Sequence, residues 1–237
     1  MFGKGSKKSA GGSSSDKARK EPRNKYAAST TSEKVGREPA DKYAASTVSE
    51  KMARRNATSL ASFYKKSSNV NAEVAKVRIV VHTTGYRKTH DGRSGNHWSI
   101  FLTLAGQIKS VRLNMSTDGL DDYGHFEVTD KSYLVSNTRI QHFDYPVVPG
   151  RTVDDFCKMA TSYGRDKYMM SGTGNGCRFW VWTVFNDMLQ NRYIAYPDYS
   201  NLAAQFYQCL QLKYHEDKVA KVVYKTQSQM EPGQFLA

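Results

Sequence analysis

Three stretches of the chain alternate apolar and polar positions. Val77, Ile79 and Val81 alternate with Arg78, Val80 and His82. Trp98, Ile100, Leu102 and Leu104 point one way, while His97, Ser99, Phe101 and Thr103 point the other. Val111, Leu113 and Met115 alternate with Arg112 and Asn114. A period of two is the signature of a strand, and each stretch predicts one. Ala105-Gly106-Gln107 between the second and third reads as a hairpin turn, with Arg112 and Asn114 on one face. Gly85, Asp91-Gly92 and Gly95 punctuate a polar loop between the first two. Phe126 to Val128 and Tyr133 to Phe143, closed by Pro146 and Pro149, predict further strands, for about five in all.

Beyond residue 150 the period lengthens. Thr152-Val153-Asp154-Asp155 resembles a capping arrangement, followed by Val153, Phe156, Met159 and Ala160 on one helical face and Gly164 as a stop. From Cys177 to Leu189, the residues Val181, Val184, Phe185, Met188 and Leu189 recur at helical spacing, and Trp180 and Trp182 read as core. This predicts a central, buried helix. A last helix runs from about Tyr199 to Tyr214 with Leu202, Phe206, Cys209 and Leu210 inward, and Val219 to Tyr224 adds an edge strand. Strands first and the principal helix late give an α+β class: an antiparallel sheet of about five strands packed on a central Cys-bearing helix.

Composition separates the two ends of the chain. Residues 1–70 carry sixteen Lys or Arg against six Asp or Glu, a balance of +10, and residues 71–237 nineteen against sixteen, a balance of +3. Lys20 to Lys34 recurs as Arg37 to Lys51, a seventeen-residue repeat in two copies with one Tyr each and almost no large aliphatic residue. Such a segment cannot offset its ordering entropy by burial. Residues 1–70 are therefore expected to be a disordered basic tail, with transient helix around Lys42 to Arg55. Residues 71–237 form the single folded domain. The tail offers a surface for an acidic partner or nucleic acid, and its Ser/Thr clusters are targets for phosphorylation. No stretch approaches the roughly eighteen apolar residues of a membrane span, and Met1 to Lys8 has no apolar signal core. The three cysteines, spaced by twenty and thirty-two, match neither a disulfide framework nor a metal clip. Together these features predict a cytoplasmic or nuclear protein that is not secreted.

Cys177 is the principal candidate for chemistry. A Gly-rich loop delivers it to the first turn of a buried helix, where unpaired N–H groups and the macrodipole favour the thiolate. Gly174, Asn175 and Gly176 are the matching candidates for an oxyanion and substrate loop. His97, at the mouth of its strand, is the candidate base, and Asn114 is the candidate to orient its ring, with Arg112 as the alternative. A guanidinium beside the ring would disfavour the imidazolium, so Asn114 is the better chemical fit. Cys157 and Cys209 lie on apolar helical faces and read as structural. Gly172 to Gly176 lacks the Lys-Ser/Thr ending of a phosphate loop. His82, His90 and His97 contain no i, i+4 pair, so no metal site and no cofactor is expected.

A strand opening Asn96-His97-Trp98, the strand Val111 to Met115, and a Gly176-Cys177 helix start 80 residues after the His resemble the circularly permuted branch of the NlpC/P60 papain-like superfamily, which includes lecithin:retinol acyltransferase-like enzymes. In that branch the His-bearing strand precedes the Cys-bearing helix. The resemblance implies a papain-like fold with Cys177 as nucleophile and His97 as base. Where those enzymes have Asn-Cys followed by Glu-His, this chain has Gly176-Cys177-Arg178-Phe179, and it has Arg112 or Asn114 where they place a second His. Asn96 to Ile100, Ser110 to Met115, Gly164 to Tyr168 and Gly176 to Val181 also resemble a family of short fungal proteins to which no activity attaches. Two function classes follow. One is a thiol hydrolase or acyltransferase acting on an amide or ester through a Cys-His dyad. The other is a non-enzymatic binding module whose basic tail recruits a partner.

Overall fold

The computed structural model describes residues 40–84, 95–118, 121–171, 176–217 and 222–236, with side chains from Val48 onward. Five strands form one antiparallel sheet: β1 (Val74–Thr83), β2 (Asn96–Leu104), β3 (Ser110–Ser116), β4 (His125–Lys131) and β5 (Arg139–Pro146). Their order is β4-β3-β2-β1-β5. The first four follow one another as a meander, and the chain then crosses the whole sheet to place β5 beside β1. The crossing segment leaves a trail of hydrogen bonds over the outer face. Ser110 Oγ donates to the Tyr133 carbonyl at 2.6 Å, Arg78 Nη1 donates to the Leu134 carbonyl at 3.0 Å, and the Thr138 hydroxyl meets His82 Nδ1 at 2.9 Å. This crossing explains why Tyr133 to Thr138, expected in a strand, are turn and bend, and why β5 begins only at Arg139.

The inner face carries the alternating apolar positions. Val77, Ile79, Val81, Trp98, Ile100, Leu102, Val111, Leu113, Met115 and Phe126 are all buried there. They pack on α3 (Cys177–Gln190), which contributes Trp180, Val181, Val184, Phe185 and Met188 to the same cluster. At about 1.5–3 kcal/mol per large apolar side chain, this layer dominates the favourable side of folding.

Before α3 come α2 (Val153–Ser162) and the short β6 (Tyr168–Met169). The α2 cap forms as its residues predict: the Thr152 side chain accepts from Asp155 N, and Asp155 Oδ2 accepts from Thr152 N at 2.8 Å. Gly164, at φ +66, follows in the left-handed region that favours glycine. After α3, α4 (Tyr199–Leu210) stops four residues short of the expected Tyr214, because β7 (Leu212–Asp217) starts at once. The last predicted strand is β8 (Val222–Gln227), which pairs with β7 and not with the main sheet. The terminal β9 (Gln234–Phe235) pairs with β6.

One expectation shifts at the N-terminal side. The helix α1 (Ala40–Lys66) runs well beyond Arg55 and docks on β4, so the boundary at residue 70 cuts through the folded unit. Met52 and Phe63 are buried, and the Asn56 side chain accepts from Phe126 N at 3.2 Å and donates to the Asp166 carbonyl at 2.5 Å. Two large apolar residues and a hydrogen-bonded Asn leave little helical period in the sequence. Residues 1–39, the first copy of the repeat among them, lie outside the described residues. Among the described residues, no helix is long and apolar enough to cross a membrane.

Candidate active site

Strands β2 and β3 pair only from Ile100 with Leu113 to Thr103 with Ser110. Past that point β2 continues with β1 as far as Asn96, while β3 continues with β4 as far as Ser116. The sheet therefore splits at one end, between Trp98 and Met115. Asn96 anchors the free start of β2, since its amide donates to the Tyr214 carbonyl at 2.9 Å and accepts from Tyr214 N at 2.7 Å. The next residue, His97, is thereby fixed.

His97 lies on the outer face and α3 on the inner face, so an intact sheet would separate His97 from the α3 N-terminus. The split lets them meet. Cys177, the first residue of α3, is hydrogen-bonded to the His97 side chain and receives the backbone N–H of Trp98. His97 Nε2 lies 2.7 Å from Asn114 Oδ1, which leaves Nδ1 as the nitrogen that faces the thiol. Asn114 Nδ2 donates to Glu127 Oε2 at 3.0 Å on the neighbouring strand, where Asn114 and Glu127 are register partners. That bond sets the orientation of the amide, with its oxygen toward the imidazole. An amide oxygen can only accept, so the proton sits on Nε2 and Nδ1 is the basic nitrogen of the neutral ring.

Electrostatics distinguish the three thiols. Burial pushes Cys177 upward, but the bond to His97 and the charge of that ring outweigh it, and the thiol lies below its ordinary range. His97 shows the converse. Burial disfavours its charged form, yet the bond to Cys177 and its charge raise the ring above the usual histidine value. Burial pushes Cys157 up to about 12 and also raises Cys209. Next to His97 in the β1–β2 pairing stands His82, with ring centroids 5.9 Å apart. Burial, then the charges of His97 and Arg112, hold His82 down at about 3, and its two nitrogens meet Ser99 Oγ at 2.7 Å and Thr138 Oγ1 at 2.9 Å. One histidine of the pair is set to take a proton and the other to stay neutral.

Arg112, the alternative orienting residue, does not bond the imidazole. Its Nη2 lies 3.6 Å from Glu127 Oε2. Gly176 is in place before Cys177, in an ordinary helical conformation. Its glycine is required by contact: a Cβ there would lie 2.9 Å from Ser171 N and 3.1 Å from Met170 Cα. Its carbonyl accepts from Tyr168 Oη at 2.8 Å and from Trp180 N at 3.1 Å. Gly174 and Asn175, the other expected loop residues, lie outside the described residues. Among the described residues, no group of three or more His, Cys, Asp or Glu is arranged to hold a metal ion.

Residues 77–236, from within β1 to β9, match the family described as Domain of unknown function (DUF7770). The chain belongs to the DUF7770 family. No curated protein matches it, and no solved structure does. All of the Cys177, His97, Asn114 and Glu127 cluster falls within the DUF7770 domain, whereas α1 precedes it.

Several residues that build the site carried no signal in the sequence. Glu127 lies in a short strand whose pairing with β3 only the fold reveals. Arg178, directly after Cys177, is buried and donates to the carbonyls of Leu210 at 2.9 Å, Ser228 at 2.8 Å and Gln229 at 3.0 Å. It ties the end of α4 and the C-terminal segment to the first turn of α3, and its charge also favours the Cys177 thiolate. Tyr168 Oη, besides donating to Gly176, accepts from Gly233 N at 3.0 Å, which fixes the C-terminal segment to the same turn.

Proposed function

We propose that the DUF7770 domain of this chain is a thiol hydrolase or acyltransferase acting on an amide or ester. The observation that carries the reading is the bonded series Cys177–His97–Asn114, in which Asn114 Oδ1 holds Nε2–H at 2.7 Å and turns Nδ1 to the thiol. In this reading Nδ1 takes the Sγ proton, and the thiolate attacks the carbonyl carbon to give a tetrahedral oxyanion. N–H groups at the start of α3 stabilise that oxyanion. The imidazolium then returns its proton to the leaving amine or alcohol, the C–N or C–O bond breaks, and a thioester remains on Cys177. Water, or an acceptor alcohol or amine, resolves the thioester with His97 acting again as base. The order of strand and helix and the His-Cys chemistry support a relation to the permuted NlpC/P60 branch. The chemistry needs no metal or organic cofactor.

The test is labelling of the full chain with a limiting electrophile from pH 5 to 9, with each cysteine read separately by mass spectrometry. Cys177 is expected to react at pH values below the ordinary thiol pKa of about 8.5, with Cys157 and Cys209 inert over the same range. In His97→Ala the Cys177 reaction should move up toward that ordinary value. Equal inertness of all three thiols would overturn the thiol reading and leave the domain as a binding module.

A further inference from the structure

The outer face of the sheet beside Asn114 holds a second cluster that the proposed thiol chemistry does not use. Arg112 lies two residues before Asn114 on β3 and pairs in register with Phe101 on β2 and Thr129 on β4. A quarter of its side chain is exposed, yet Arg112 Nε is buried without a hydrogen-bond partner. The guanidinium makes no hydrogen bond among the described residues; its one ion-pair partner within 4 Å among them is Glu127 Oε2, at 3.6 Å and already accepting from Asn114. Directly across the strand pair, Thr129 Oγ1 is also buried and also without a partner.

Lys131 follows two residues later on the same face of β4. It is half-buried, it makes no ion pair within 4 Å among the described residues, and burial and then the charge of Arg112 lower its pKa. Two cations and a hydroxyl, all with unused hydrogen-bonding capacity, thus share one patch with a single carboxylate. Buried donors without partners are rare in folded proteins and mark places where a missing group belongs. Two cations sharing one carboxylate attract an anion, and a guanidinium with free N–H groups binds planar or tetrahedral oxyanions well.

We infer that Arg112, Lys131 and Thr129 form an anion-binding subsite beside the Cys177–His97–Asn114 cluster, taking a carboxylate or phosphate group carried by the substrate. The subsite's role toward a substrate rests on the thiol reading; its capacity to bind an anion does not. An acyl or amide substrate anchored there by an acidic group would lie on the outer face, where His97 is partly exposed. The acidic group would be held on β3 and β4, with the carbonyl toward the split in the sheet.

The experiment is calorimetric titration of the full chain at low ionic strength with inorganic phosphate and, separately, with acetate, using acetamide as the neutral control. Saturable binding of phosphate, acetate or both, with none of acetamide, is expected, and the anion that binds identifies the group recognised. Arg112→Gln and Lys131→Gln should each weaken binding about tenfold or more, the scale of one charge-assisted hydrogen bond. Glu127→Gln keeps an acceptor for Asn114 but removes the competing charge, and should tighten binding severalfold. A merely structural Glu127 would not produce this opposite sign. If Arg112→Gln fails to fold, Lys131→Gln and Glu127→Gln still decide the matter. No saturable binding, or binding unchanged in the folded variants, overturns the subsite. Binding that persists in Cys177→Ala while Cys177 proves unreactive in the wild-type chain sinks the thiol reading and leaves the subsite standing.

Discussion

Asn114 and His82 show how single side chains set the protonation of the site. Asn114 fixes the tautomer of His97, and Glu127 in turn fixes Asn114. Asn114→Ala should therefore slow electrophile labelling of Cys177 by about tenfold, the equivalent of one hydrogen bond. Glu127→Ala should have a smaller effect of the same sign, and Glu127→Gln almost none, as measured by rates at pH 7. His82 makes the protein sensitive to acid. Held at about 3 in the folded state, it stays neutral while an unfolded histidine takes up its proton below about 6.5. Folding loses nothing from this group above that pH. As pH falls from about 6.5 toward 3 the loss grows to about 5 kcal/mol at most. His82→Gln removes the titration and can keep bonds to Ser99 and Thr138, so its acid-unfolding midpoint should lie at lower pH than that of the wild type, as read by circular dichroism.

At the level of elements, the start of α3 is held by its neighbours. No side chain caps it; Gly176 packs against the backbone of Met170 and Ser171 and the Tyr168 hydroxyl, and Arg178 binds α4 and the C-terminal segment. Arg178→Gln would leave most of the Leu210, Ser228 and Gln229 carbonyls without their donor. It should destabilise the fold by about 2–4 kcal/mol, and urea unfolding would measure this loss. The same substitution should open residues 222–236 to limited proteolysis before the rest of the chain. α1 has a different task, covering the edge strand β4, whose Phe126 N–H is capped by Asn56. Asn56→Ala should cost about 1–3 kcal/mol by the same assay, because Phe126 N–H and the Asp166 carbonyl would both lose their partner.

For the whole molecule, the described fold extends from Ala40, not from residue 71. A chain beginning at Ala40 should unfold cooperatively in urea. One beginning at Asn71 should be less stable by several kcal/mol, since it strips Met52 and Phe63 from their burial sites at about 1.5–3 kcal/mol each and bares the β4 edge. The site itself is a product of topology. The open end of the sheet gathers the end of β1, the starts of β2, β4 and β5, the end of β3, and the first turn of α3.

Local pattern was enough for much of this. The period-two stretches specified β1, β2 and β3, Gly106 specified the turn between them, and the helical spacing after Cys177 specified α3, because each signal lies within one element and reports which side chains must be buried. The pairing of Cys177, His97 and Asn114 as candidates also came from chemistry that local sequence carries: a thiol at a helix start, a histidine at a strand mouth, and an amide one hairpin strand away. Three things needed the tertiary structure. The docking of α1 rests on two side chains and one amide, too sparse to leave a period. Glu127 and Arg178 act on partners far along the chain, across strand pairing and a C-terminal return that no local pattern encodes. The split between β2 and β3, which lets a histidine on one face of the sheet bond a cysteine on the other, follows from where a ladder of hydrogen bonds stops. Beyond it β2 is held by β1 and, through Asn96, by Tyr214, while β3 is held by β4, and these are partners that only the folded chain brings together.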